Sequence, residues 1–227
     1  MKRISAAHVL LAFVFAVLTT VSGAVIARAD TPDRLHGTEY TIKGYQYEVR
    51  VPQLAGGTET ERASFNEAMR LSADEYIGYV DHVTSVYPAH SEVVYIGAHV
   101  ASGKLGVEIY KEGAAHGYEE FVTHNTWLAT GQPVYLADLF TDFQGALNVL
   151  SEQAAVLVPQ TAAGENYSRA AIEPYAANYE KWAVTRDGLR VYFGEIGSHA
   201  AGNIHITVPW SAVEHLMLPE MKTIGEA

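Results

Sequence analysis

The sequence predicts an α+β protein: antiparallel sheet or sheets with one long and one medium helix packed on one face. Three observations predict this class. Apolar residues recur at helical spacing over two main stretches, near 58–86 and 143–157. Short alternating runs, paired across turn dipeptides, fill most of the remainder. The helices interrupt pairs of strands singly, which favours antiparallel sheet over a parallel α/β arrangement.

The first element is an export signal. Met1-Lys2-Arg3 is cationic, an apolar run follows from about Val9 to Ile26, and Ala27-Arg28-Ala29 fits the small-x-small pattern of a cleavage site. A signal peptide over 1–29, cut after Ala29, is the expectation. The alternative is a retained anchor, since the run is nearly long enough to span a bilayer.

Residues 38–51 alternate as one long strand or a hairpin bent at Gly44, and Pro52 to Gly57 is expected to break it. Thr58 to about Val86 reads as the longest helix, with Phe65, Met69, Tyr76, Val80 and Val83 on one stripe and Thr58 or Thr60 as its cap. Tyr87-Pro88 stops it. Three β-rich segments follow, 90–102, 104–111 and 116–129, with turns expected at Ser102-Gly103 and Thr130-Gly131. Residues 134–139 read as a short extended piece. Phe143 to Leu157 is the second helix, with Leu147, Leu150, Ala154 and Leu157 on one side and Pro159 ending it. Two strands, 181–185 and 189–193, flank the Arg186-Asp187-Gly188 turn, and a last strand at 203–208 precedes a short helix at 211–218.

Composition narrows the function. The chain has a formal charge of −11, and loss of Lys2, Arg3 and Arg28 with the signal takes it to −14. Such a surface repels nucleic acid and anionic lipid and attracts cationic partners. The absence of cysteine excludes disulfides, thiolate metal sites, a cysteine nucleophile and a lipidated N-terminus.

Two stretches resemble a known family. The first is Gly113-Ala114-Ala115-His116-Gly117, then Asn125, then Gly131-Gln132-Pro133-Val134-Tyr135-Leu136-Ala137-Asp138-Leu139-Phe140. The second runs from Trp182 to Phe193 and on through Gly197 and His199-Ala200-Ala201-Gly202 to Ile206-Thr207-Val208-Pro209. In order and spacing they resemble the extracytoplasmic domain of RsiV-type anti-sigma factors, which also occurs in secreted mycobacterial immunogenic antigens and beside some peptidoglycan deacetylases. Tyr47 to Pro52 and Phe65-Asn66 resemble its small N-terminal companion. The resemblance implies a companion lobe over 30–112 and an RsiV-like lobe over 113–227. It also implies export, and ligand or protein binding rather than catalysis; the anti-sigma members bind lysozyme through loops inserted at its cleft. Only eight residues precede the apolar run, so a cytoplasmic sigma-binding segment is not expected. The loop Gly194 to Gly202 departs from the family, which often has Tyr before Glu195 and Pro-Tyr in place of Ser198-His199.

Ten histidines in an exported chain prompt a search for chemistry. His116, Glu120 and His124 share strand parity, but eight residues of strand separate the histidines by about 26 Å, so no metal is expected there. The nucleophile-elbow pattern is absent from the mature chain. Ser198-His199 lies near Glu195, but adjacent side chains in extended backbone point apart. The expectation is a secreted, non-catalytic binding protein of the cell envelope or extracellular space, with His116, Glu195 and His199 as ligand-binding candidates. It needs no cofactor, and its partner is a cationic protein such as lysozyme or a cell-wall glycan. Nucleic acid is not expected as a partner, nor is membrane once the signal is cut. The rival is an exported hydrolase, an esterase or cell-wall-active enzyme, built on Ser198, His199 and Glu195.

Overall fold

The computed structural model describes residues 33–226, which belong to one compact unit. The expected signal segment and its cleavage site lie outside the described residues. The fold is α+β: two open, mainly antiparallel sheets, each covered by a helix.

The first sheet opens with a hairpin of β1 (His36–Gly44) and β2 (Tyr47–Ala55), paired from His36↔Ala55 to Gly44↔Tyr47. The two-residue turn places Gln46, its second central residue, in the left-handed region at φ 63°. Pro52 does not break β2 but lies within it, opposite Glu39. The reason is visible at Leu54, whose N–H and C=O both turn away from β1 to the amide of Asn66, at 2.7 and 2.9 Å. By alternation Pro52 shares that outward side, where no ladder bond is lost for want of its N–H.

Helix α1 (Glu59–Ile77) starts at Thr58, whose hydroxyl accepts from Glu61 N–H while the Glu61 carboxylate accepts from Thr58 N–H. Phe65, Met69, Ala73 and Tyr76 form its buried stripe. The helix ends at Gly78, well short of the expected Val86. Asp81 accepts from the N–H groups of Val83 and Thr84, turning the chain into β3 (Thr84–Pro88). There Val86 is fully buried in the sheet core, so the β-branched residue expected at the helix end serves as a strand residue.

Strand β4 (Glu92–Ile96) is followed by β5 (Val100–Lys111), a single twelve-residue strand. It pairs with β3 and β4 along one edge and with β6 (Tyr118–Trp127) along the other. The expected turn at Ser102-Gly103 is therefore mid-strand. Gly103 is needed for room: a Cβ there would stand 2.4 Å from Met69 Cε and 2.6 Å from Phe65 Cζ. The glycine lets α1 settle on the sheet.

The second sheet is β7 (Trp182–Val184), β8 (Gly188–Gly194) and β9 (Ile204–Pro209), all antiparallel. Helix α2 (Phe143–Leu157) packs Leu147, Leu150 and Ala154 against its inner face with Val191, Ile206 and Val208. The short α3 (Trp210–Val213) and a 3-10 turn close this layer. Residues 134–139 are not an extended strand: they follow the Thr126↔Pro133 bridge with a 3-10 turn at Leu136–Leu139, where the Asp138 carboxylate accepts from Tyr135 N–H.

Side chains join the two sheets. Trp182 N–H donates to Thr123 Oγ1 at 3.1 Å and Val184 N–H to Ser102 Oγ at 3.0 Å, while Asn125 Nδ2 donates to Trp182 O at 2.9 Å. Ser102 Oγ in turn donates to Asn125 Oδ1. The free edge of β7 is thus closed by residues of β5 and β6 instead of by another strand. Beside this seam, the buried Lys104 ammonium lies 3.0 Å from Glu119 and 4.7 Å from the centre of the Phe121 ring.

A candidate ligand-binding site

The three residues singled out in sequence come together. His116 sits in the loop before β6, and His199 in a 3-10 turn of the β8–β9 loop. Their rings stack at 4.1 Å between centroids with 26° between planes. His199 Nδ1 donates to Glu195 Oε2 at 3.0 Å, and His116 Nδ1 donates to Gly117 O at 2.9 Å. Both rings thereby hold a proton on Nδ1 and, when neutral, leave Nε2 as the acceptor.

The cluster is solvated. The His199 side chain is 53% exposed and that of Glu195 33%, so their attraction is screened by water. No hydroxyl hydrogen-bonds to either ring among the described residues. Ser198 precedes the 3-10 turn with its backbone extended, and the pair does not form a nucleophile–base contact. Among the described residues no group of three or more His, Asp or Glu is arranged to hold a metal ion.

A more enclosed site lies elsewhere, along the outer edge of β6. A cleft of about 450 Å³ is walled on one side by Thr123, His124 and Asn125, and on the other by Tyr179, Glu180 and Trp182. Residues 133–137 and Phe143 close one end. The volume falls in the range of small-ligand sites, and the lining is mainly apolar and aromatic. His116 lies seven residues from Thr123, about 23 Å along a strand, so the cluster and the cleft are separate features.

Most polar groups of the cleft hold the fold. Thr123 Oγ1 accepts from Trp182 N–H, and the Asn125 amide is fully engaged in the seam. Tyr179 donates to Ile172 O at 2.7 Å, and burial pushes its phenol up to about 12, so it stays protonated. His124 Nε2 shares a 2.8 Å hydrogen bond with Ser72 of α1, and burial lowers its pKa, which keeps the ring neutral near pH 7. No lysine or arginine lines the cleft, and Glu180 is its one carboxylate. The arrangement offers shape, aromatic surface and a negative rim. It offers no activated nucleophile.

Sequence reading missed this cleft. Its walls come from segments some sixty residues apart, and Tyr179 and Glu180 fall in a polar, alanine-rich stretch with no strong period. The available signal was Tyr135, an aromatic next to a proline-bearing turn, which the structure leaves 65% exposed at the cleft mouth.

The fold is shared with solved proteins. A DUF3298-family protein from Bacteroides fragilis NCTC 9343 superposes with a TM-score of 0.59 at 16% identity, covering 85% of this chain and 96% of the other. A DUF3298-family protein from Pseudomonas aeruginosa PAO1 gives 0.56 at 12% identity, covering 83% and 97%. At such identities the likeness speaks for the fold. No curated protein matches the chain. Residues 137–211, from the end of the cleft wall to the start of α3, match the family DUF3298, described as a protein of unknown function.

Proposed function

We propose that this is an exported, non-catalytic binding protein of the cell envelope or extracellular space, of the RsiV-like type. The observation that carries the reading is the β6 cleft: an aromatic hollow in which the Thr123 and Tyr179 hydroxyls, the Asn125 amide and the His124 imidazole are committed to internal hydrogen bonds. Such a surface recognises shape and apolar contact without supplying a reacting group. The net charge of −11 supports a cationic partner, and a lysozyme-like protein is the sharpest version of that partner. A cell-wall glycan is the other ligand this reading admits. Calorimetry with hen-type lysozyme, at low and at physiological salt, tests it. Heat that persists at physiological salt supports a shaped interface. Heat seen only at low salt reduces the effect to screened charge. No heat at either salt removes lysozyme as the partner.

The His199–Glu195 contact favours a second reading, a hydrolase, because a carboxylate on Nδ1 is how a catalytic imidazole is oriented. Turnover of short esters that disappears in both Ser198→Ala and His199→Ala would replace the binding reading. Absent or unaffected turnover excludes that site.

A further inference from the structure

Strand β1 ends the first sheet and pairs along one side only, with β2. The hairpin closes on Gly44↔Tyr47, and Leu54, opposite Gly37, turns its backbone groups away from β1. The even-numbered residues of β1 therefore bond β2, while Gly37, Glu39, Thr41 and Lys43 turn their N–H and C=O groups outward. Those groups meet no backbone partner among the described residues. Every residue of the strand except Ile42 is exposed, so the row is open to solvent. A long exposed edge is a template for another strand, and its side chains decide which strand it accepts.

We propose that β1 pairs antiparallel with β1 of a second copy of this chain, about a two-fold axis at Thr41. The pairing is independent of the β6 cleft and of the ligand taken there. A two-fold axis makes residue i face j wherever j faces i, so the strand must complement its own reverse. Centred on Thr41, it does so in three places. Glu39 comes opposite Lys43 of the second copy. Lys43 lies 2.8 Å from Glu48 with its side chain 72% exposed, which leaves room for a second carboxylate. On the other face Tyr40, 39% exposed, comes opposite Ile42, an aromatic and β-branched pair. Gly37 comes opposite Tyr45, which stands 86% exposed at the hairpin tip. Beside Gly37 lies an open hollow of about 460 Å³ between residues 37–39 and 91–93, with Pro52, and it receives the Tyr45 ring of the second copy. Moving the axis to Tyr40 sets Lys43 against Gly37 and Glu39 against Thr41. Moving it to Ile42 sets Lys43 against Thr41 and Glu39 against Tyr45. Either shift loses the ion pair and takes Tyr45 away from Gly37.

Sedimentation of the exported protein over about 1 µM to 1 mM, the range of a weak pair, should show monomer passing into dimer. Thr41→Pro removes an outward N–H that β2 does not use, at the kind of position Pro52 already holds in the neighbouring strand. It should weaken the dimer about tenfold while leaving the far-ultraviolet circular dichroism unchanged. Glu39→Lys and Lys43→Glu each set like charges opposite one another, and each alone should weaken the dimer about tenfold. Mixed in equal amounts, the two variants should pair again within a few-fold of the wild type, because every lysine then faces a carboxylate. Should Thr41→Pro disturb the hairpin, Thr41→Cys gives a second measurement. The chain has no cysteine, and residues facing each other in a bonded pair lie about 5.5 Å apart, within reach of a disulfide. Mild oxidation should link Thr41→Cys into a dimer, while Thr38→Cys, about 20 Å from its twin, should stay unlinked. A wild type that remains monomeric across the range overturns the proposal. So does a dimer that survives Thr41→Pro and is not linked through Thr41→Cys, or a mixture of the two charge variants that fails to pair.

Discussion

Asn125 shows how much one side chain carries. Its amide donates to Trp182 O and accepts from Ser102, and it is 6% exposed. Asn125→Ala leaves a buried carbonyl without a donor and a hydroxyl without an acceptor, so a loss of about 1–3 kcal/mol is expected in urea unfolding. Ser102→Ala removes the acceptor of Val184 N–H in the same network. The double variant should therefore cost less than the sum of the singles. His124 makes a pH prediction. Its folded pKa lies below the ordinary 6.5 because burial disfavours the charged ring. The unfolded chain then binds the proton first as pH falls. The stability this group contributes is complete above about 6.5 and declines as pH drops from there toward the folded value. The urea midpoint should fall over that window, and His124→Gln should flatten its contribution; a midpoint indifferent to the substitution at pH 5 and 7.5 would contradict the assignment.

At the scale of elements, Gly103 is the informative position. Its missing Cβ is what allows Phe65 and Met69 to lie on β5, so Gly103→Val should overpack the interface and cost about 1–3 kcal/mol, read as a lowered thermal midpoint. The same residue explains one limit of reading the sequence. Ser102-Gly103 has turn composition, but its role depends on Phe65 and Met69 of a helix far earlier in the chain, which no local pattern reports. The end of α1 is a second case. Val80 and Val83 continue the helical period of Phe65, Met69 and Tyr76 by coincidence, while the Asp81 turn and the β-branched content decide the outcome. Where local signals agreed they were sufficient: Thr58 as one of the two expected caps, Phe143–Leu157 as a helix, and the strand pair about the Arg186-Asp187-Gly188 turn were all legible. His116, Glu195 and His199 were named in sequence only as separate candidates; folding stacks the two imidazole rings and sets Glu195 on His199. The cleft was invisible because Thr123 and Trp182 meet only through tertiary structure.

For the whole molecule, two hydrophobic cores are tied by one polar seam. Val49, Phe65, Leu105 and Ile109 belong to the first, and Leu147, Leu150, Val191 and Ile206 to the second. Between them lies a small third cluster of Phe121, Ala183 and Tyr192, flanked by Lys104. Since the seam bonds are buried and shared, the described residues should unfold in one calorimetric transition, with van't Hoff and calorimetric enthalpies equal. The Asn125→Ala/Ser102→Ala pair should broaden or split that transition. Two transitions in the wild-type protein would show that the cores are energetically independent.

The closure of β7 by side chains also gives the molecule an internal gauge. The amide protons of Trp182 and Val184 are held by hydroxyls of the opposite layer, not by a neighbouring strand. They can trade with deuterium when the two layers part, even if β7 and β8 stay paired. Protons of the β8–β9 ladder need that ladder itself to open. The ratio of the two exchange rates therefore measures how often the layers separate without unfolding, and it would tell whether a bound partner clamps them together.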